Sequence, residues 1–147
     1  MPSPLLIQAL RDHLIAQGIV RDPRTAGPLP PCWRSPRKGV PAPSEGTGTE
    51  IGPDSVVGLM PAPGVAEPRH DATYLRTDGV DIVIRSRTAP QAVALDDQIR
   101  TALTDKRGWT MGGLTIIESN LYRPQSLITS DDQAFTFVTG YTFQRST

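Results

Sequence analysis

The sequence predicts an α+β domain: two helices packed on one face of a mainly antiparallel four-stranded sheet, with a long Pro-rich loop inserted after the first helix. Three observations lead there. Apolar residues recur at helical spacing in two stretches, one at the start of the chain and one after residue 88. Two other stretches, 80–85 and 135–143, alternate with the period of a strand that packs one face. Between the first helix and the first strand, residues 21–49 hold seven prolines, a density that neither a helix interior nor a central strand accepts.

The first helix is expected over residues 4–17. Ser3 caps it, Pro4 takes the first helical position, where its missing N–H costs nothing, and Gly18 ends it. Leu5, Leu6, Ile7, Leu10 and Leu14 form its apolar stripe, with His13 on or beside it as a packed histidine. The arm at 21–49 follows, longer than ordinary connections inside a compact domain, with Leu29, Cys32 and Trp33 as its tethers. Val56 to Met60 predicts a short strand stopped by Pro61. Residues 73–87 predict a long one, in which Ile82 and Ile84 oppose Val83, Arg85 and Arg87.

Thr88 and Pro90 open the second helix, whose stripe is Ala92, Leu95, Ile99, Ala102 and Leu103; Asp96, Asp97, Gln98 and Arg100 fill its wetter side, and Lys106 to Gly108 end it. A strand from Leu114 towards Tyr122 meets an edge or a bend at Pro124, and the polar turn Ser130–Gln133 leads into a last strand carrying Phe135, Phe137, Tyr141 and Phe143. With 147 residues the chain reads as one domain, 1–147.

Composition narrows the function. Lys plus Arg and Asp plus Glu both number 15, so the chain lacks the basic excess of a nucleic-acid binder. No run approaches the roughly 18 apolar residues of a bilayer span, and the start lacks the apolar core of a signal peptide. One cysteine allows no internal disulfide, and two histidines with it compose no zinc-ligand spacing. Gly112-Gly113 lacks the Lys-Ser/Thr of a phosphate loop, no serine sits in a nucleophile elbow, and nothing supplies Cys32 with a base. His70 beside Asp71 is sequence adjacency, not catalytic geometry. The expectation is a protein that is not an enzyme and carries no cofactor.

Two segments carry a likeness. They are "DGVDIVIRSRTAPQAVALDDQIRTAL", the strand running into the second helix, and "TIIESNLYRPQSLITSDDQAFTFVTGYTFQR", the closing strands. Together with the first helix and the strand near Val57, they cover most of 1–20 and 55–145, and in this order the chain resembles the tail terminator and minor capsid proteins of long-tailed bacteriophages. The resemblance implies a homo-oligomeric ring, commonly a hexamer, at the head-proximal end of the tail tube. Such a ring halts tube growth and docks the head-completion or connector protein, with DNA only as cargo through the lumen. It implies assembly in the host cytoplasm and a place at the tail–neck junction of the virion. A head-completion or stopper protein of the neck, or a non-viral protein-binding adaptor, are the alternatives.

On that footing the candidate subunit or partner contacts are Arg24, Trp33, Arg34, Arg37 and Lys38 in the arm, Arg85 and Arg87 on the long strand, and Asp131 and Asp132 in the last turn. The arm cations suit acidic partner loops or the DNA passage. Arg85 and Arg87 read either as a solvated sheet face or as a subunit contact or lumen-facing row, and Asp131-Asp132 either as a polar turn or as a contact to a partner's arginine.

Overall fold

A computed structural model of the chain describes residues 4–25, 29–33, 55–62, 75–86, 88–104, 106–130 and 135–146. Two helices, α1 (Pro4–Ala16) and α2 (Ala89–Leu103), accompany six strands: β1 (Cys32–Trp33), β2 (Ser55–Pro61), β3 (Leu75–Ser86), β4 (Lys106–Met111), β5 (Leu114–Ser130) and β6 (Phe135–Ser146).

The stripe of α1 buries Leu6, Ile7, Ala9, Leu10 and Leu14, and the chain leaves the helix through Gly18 at φ 73°. Gly18 N–H donates to the Ile15 carbonyl and Ile19 N–H to that of Leu14, the paired bonds that close a helix through a left-handed residue. A capping box opens α2. The Thr88 hydroxyl accepts from Gln91 N–H while the Gln91 side chain accepts from Thr88 N–H, and each helix-end donor gains a partner. The Thr104 hydroxyl donates to the Arg100 carbonyl at 2.7 Å at the other end.

All strands join one sheet in the order β1-β2-β3-β6-β5-β4, parallel between β1 and β2 and antiparallel elsewhere. The expected four-stranded, mainly antiparallel sheet is therefore replaced by a mixed six-stranded one that curls into a half-barrel around the two helices. The curl follows from the contacts of α1, which touches both β2 and β4. Those strands stand second and sixth in the order, roughly 19 Å apart on a flat sheet at about 4.8 Å per strand. A helix is only about 10–12 Å across, so the sheet has to bend for α1 to meet both. Four register shifts along the β5–β6 pair supply local bending. At the β4–β5 turn Gly112, at φ 54°, lays bare backbone on α1: a Cβ there would stand 2.6 Å from Ala9 Cα.

Two strands are absent from the sequence expectation. β1 lies inside the Pro-rich arm and is held from outside, by Cys32 N–H to the Arg21 carbonyl and by Val57 N–H to the Pro31 carbonyl. β4 replaces the expected helix end at Lys106–Gly108; its sequence KRGWTM has no period-two pattern, and its strand state comes from pairing with Leu114–Ser119. β5 also runs through Pro124 to Ser130. The missing N–H is harmless there because, among the described residues, β4 no longer lines that side.

The concave, helix-bearing face holds the core, including Val57, Leu59, Val80, Ile82, Ile84, Ile116, Tyr141 and Phe143. Burying each such side chain contributes on the order of 1.5–3 kcal/mol. Val56, Val83 and Val138, with Met60 beside them, form a small separate cluster on the convex face.

Candidate functional site

Of the expected contact residues, Arg24, Trp33 and Arg85 are described; Arg34, Arg37, Lys38, Arg87, Asp131 and Asp132 lie outside the described residues, as does His70. The three described ones sit on separate elements. Arg24 is bound to Asp22: its Nη2 stands 2.9 Å from Oδ2, its Nε 3.2 Å from Oδ1, and its backbone N–H donates to Oδ1 as well. The arginine side-chain bond is the main cause holding the Asp22 carboxyl well below the usual carboxylate range. Trp33 is half-buried on β1, opposite Gly58 of β2. Arg85 is on the convex face, where its guanidinium donates to Thr136 Oγ1 at 3.1 Å.

The loop before β1 is organised by a residue that the sequence did not single out for this role. Arg21 is buried; its Nε donates to the Leu29 carbonyl at 2.9 Å and its Nη1 to the carbonyls of Asp22 and Thr25. A planar guanidinium reaches several carbonyls at once, which a lysine's single ammonium does not reproduce.

The convex face carries a second cluster that no periodicity reveals. Asp81 of β3 accepts from the Tyr122 hydroxyl at 3.0 Å and from Arg123 Nη2 at 2.7 Å. A register shift between Leu121 and Arg123 frees these neighbours from strict alternation and lets both reach Asp81. Gly140, which pairs with Asp81, leaves room for the Tyr122 ring to lie across β6. Burial, then the bond to Asp81, raises the Tyr122 hydroxyl pKa.

On the concave face, the expectation that Asp96 faces water is overturned. Asp96 is 3% exposed; its carboxylate accepts from Thr139 Oγ1 at 2.8 Å and from Arg100 Nη2 at 3.1 Å. The neighbouring Tyr141 hydroxyl is raised well above its ordinary value, first by burial and next by the Asp96 charge. The buried Asp78, near the start of β3, accepts from Nε of the largely covered Arg145 at 3.3 Å. His13 packs its ring on Trp109, with centroids 4.8 Å apart. Cys32 is buried and its thiol is pushed up to about 12 by desolvation, so it stays protonated near neutral pH.

These described groups are spread over both faces of the sheet. Among the described residues no cluster of His, Cys, Asp or Glu is placed to hold a metal, and no helix is long and apolar enough to cross a membrane. An open groove of about 570 Å³ between the end of α1 and the outer side of α2 contains one ionisable side chain, Asp97.

The most distinctive surface is the far half of β5. β4 pairs with β5 only through Ser119, so from Asn120 to Ser130 the outer edge of β5 has no strand partner among the described residues. Four large apolar side chains are exposed among the described residues, and three belong to this segment: Tyr122 (40%), Leu127 (53%) and Ile128 (54%). The fourth, Val93 (48%), follows Ala92 on α2, whose carbonyl accepts from Gln125 Nε2 of the same segment. Tyr122 lies on the convex side with Asp81 and Leu127 on the side of Phe137, so exposed apolar side chains flank this strand edge on both faces.

The fold and this surface define a class: a small sheet-and-helix domain with an open half-barrel edge. No family model and no curated protein matches the chain. Ten chains of known structure do match it. One, known by a locus label alone, is 15% identical, covers 97% of this chain and 96% of its own, and superposes with a TM-score of 0.52. At that identity the likeness concerns the fold.

Proposed function

We propose that this chain is a structural, ring-forming virion protein at the head-proximal end of a phage tail tube, where it ends tube polymerisation and joins tail to head. The observation that carries the assembly part is the exposed apolar side chains along the edge of β5 that has no strand partner among the described residues. A monomer gains nothing from leaving Leu127 and Ile128 in water, whereas a ring subunit needs a heterologous, self-closing contact. The tail location rests on the resemblance carried by residues 78–103 and 115–145. Tail tube protein on one side and a connector on the other are the partners of this reading, with DNA as cargo.

Two measurements test it. Light scattering on the purified chain, alone and with tail-tube protein, is expected to give a mass several times 15.9 kDa. A monomer under every condition overturns the reading. In a tube-growth assay the protein is expected to stop elongation; unaltered tube lengths overturn the terminator role.

A further inference from the structure

We infer that the groove between the end of α1 and the outer side of α2 takes a cationic side chain, arginine or lysine, from a partner protein. The inference does not depend on the ring reading, whose contact is at the edge of β5. Gln17 and Ile19, just past the last turn of α1, form one wall, and Asp97, Gln98, Thr101 and Ala102 of α2 form the other. Every polar side chain on these walls can accept a hydrogen bond. The Asp97 carboxylate has no ion pair among the described residues, whereas its neighbour Asp96 is spent on Arg100 at 3.1 Å. The Thr101 hydroxyl gives its proton to the Asp97 carbonyl at 2.9 Å, which leaves only its lone pairs for a ligand. Gln17 and Gln98 can turn amide oxygens to the same space. The end of α1 adds the partial negative charge of the helix dipole.

Charge and shape together select the occupant. An anion meets both the carboxylate and the negative helix end. A divalent metal requires about six or more oxygen ligands, usually from several carboxylates, and this groove has one. A polyamine brings several charges to that single carboxylate. An apolar side chain strips water from Asp97 and returns no hydrogen bond. A long side chain with one cationic head satisfies both sides of the site. Its methylenes lie along Ile19 and Ala102, which are apolar and nearly covered, and its head reaches Asp97. The groove is open, and at about 570 Å³ it has room for such a side chain while the partner's backbone stays outside.

Nuclear magnetic resonance titration of the full chain with the blocked peptide Gly-Gly-Arg-Gly-Gly tests the inference. Amides of Gly18, Gln98 and Thr101 are expected to shift saturably, with an affinity of roughly millimolar order. The same peptide with citrulline for arginine keeps the shape and loses the charge, and is expected to bind roughly threefold more weakly or worse. Asp97→Asn is expected to show a like loss, whereas Glu118→Gln, on β5, is expected to bind as the natural chain does. Thermal unfolding of each variant checks that the fold is kept. Equal binding of the citrulline peptide, unsaturated shifts, or full binding by a folded Asp97→Asn overturns the inference. An equal loss in Glu118→Gln also overturns it, as does spermidine binding more tightly than the arginine peptide. A chain that binds the peptide yet stays monomeric upholds this inference and overturns the ring reading; an assembled chain that ignores the peptide does the reverse.

Discussion

The carboxylate of Asp96, on the buried side of α2, accepts a 2.8 Å hydrogen bond from the hydroxyl of Thr139 on β6. This bond ties the helix to an inner strand of the sheet at a point where both partners are sealed from water. Arg100, one turn on, closes the other carboxylate oxygen from the solvent side.

Removing that carboxylate is expected to hurt more than removing the arginine. Asp96→Ala strands a buried hydroxyl and an empty space, at about 2–4 kcal/mol. Arg100 is partly exposed, and Arg100→Ala is expected to cost about 1 kcal/mol or less from the lost ion pair. Urea unfolding of the two variants gives the comparison; equal losses contradict this ranking.

Alkaline pH is expected to destabilise the fold chiefly through the two groups that burial raises furthest. The Cys32 thiol rises from 9.0 to about 12 on burial, and the Tyr141 hydroxyl rises from 10.0. For both groups the folded state holds its proton more tightly than the unfolded chain. Their contribution is complete below the unfolded values and falls away as pH climbs from about 9 towards the folded ones. Cys32→Ala is expected to flatten the profile from about pH 9, and Tyr141→Phe the part above 10. Free energies of unfolding between pH 8 and 12 measure both slopes.

Gly140 and Tyr122 are expected to be coupled. A side chain at 140 meets the Tyr122 ring, so Gly140→Val is predicted to cost about 1–3 kcal/mol. In a Tyr122→Ala background that collision is gone, and the same change is expected to cost at least 1 kcal/mol less. Additive losses in the double-mutant cycle contradict the packing described for this face.

Gly112 is expected to be the least replaceable glycine of the half-barrel. Its φ of 54° strains any other residue, and a Cβ collides with the backbone of Ala9, which has no flexible side chain to yield. Gly112→Ala is predicted to destabilise by about 2 kcal/mol or more, whereas Gly113→Ala meets no neighbour and costs only its φ strain, about 1 kcal/mol. Thermal unfolding of the pair separates collision from strain.

Both helices and the strands β3 and β6 were legible in the sequence, because each shows the core one face whose period is written in consecutive residues. Leu6, Leu10 and Leu14 announce α1, and Ile82 and Ile84 announce β3, without reference to any distant residue. The candidate surface was legible only in outline. Pro124 signalled an edge or a bend, but the length of that edge depends on where β4 stops, and β4 carries no strand pattern of its own. The Asp81–Tyr122–Arg123 cluster joins residues 41 and more positions apart, through a register shift that no local rule supplies. Asp96 looks like a solvated acid until Thr139 is brought beneath it. The sequence by itself determined which segments turn an apolar face inward. Tertiary structure decided how many strands join the sheet, which polar groups are drawn into it and how much of β5 is left open, since each of these depends on a hydrogen-bond partner distant in the chain.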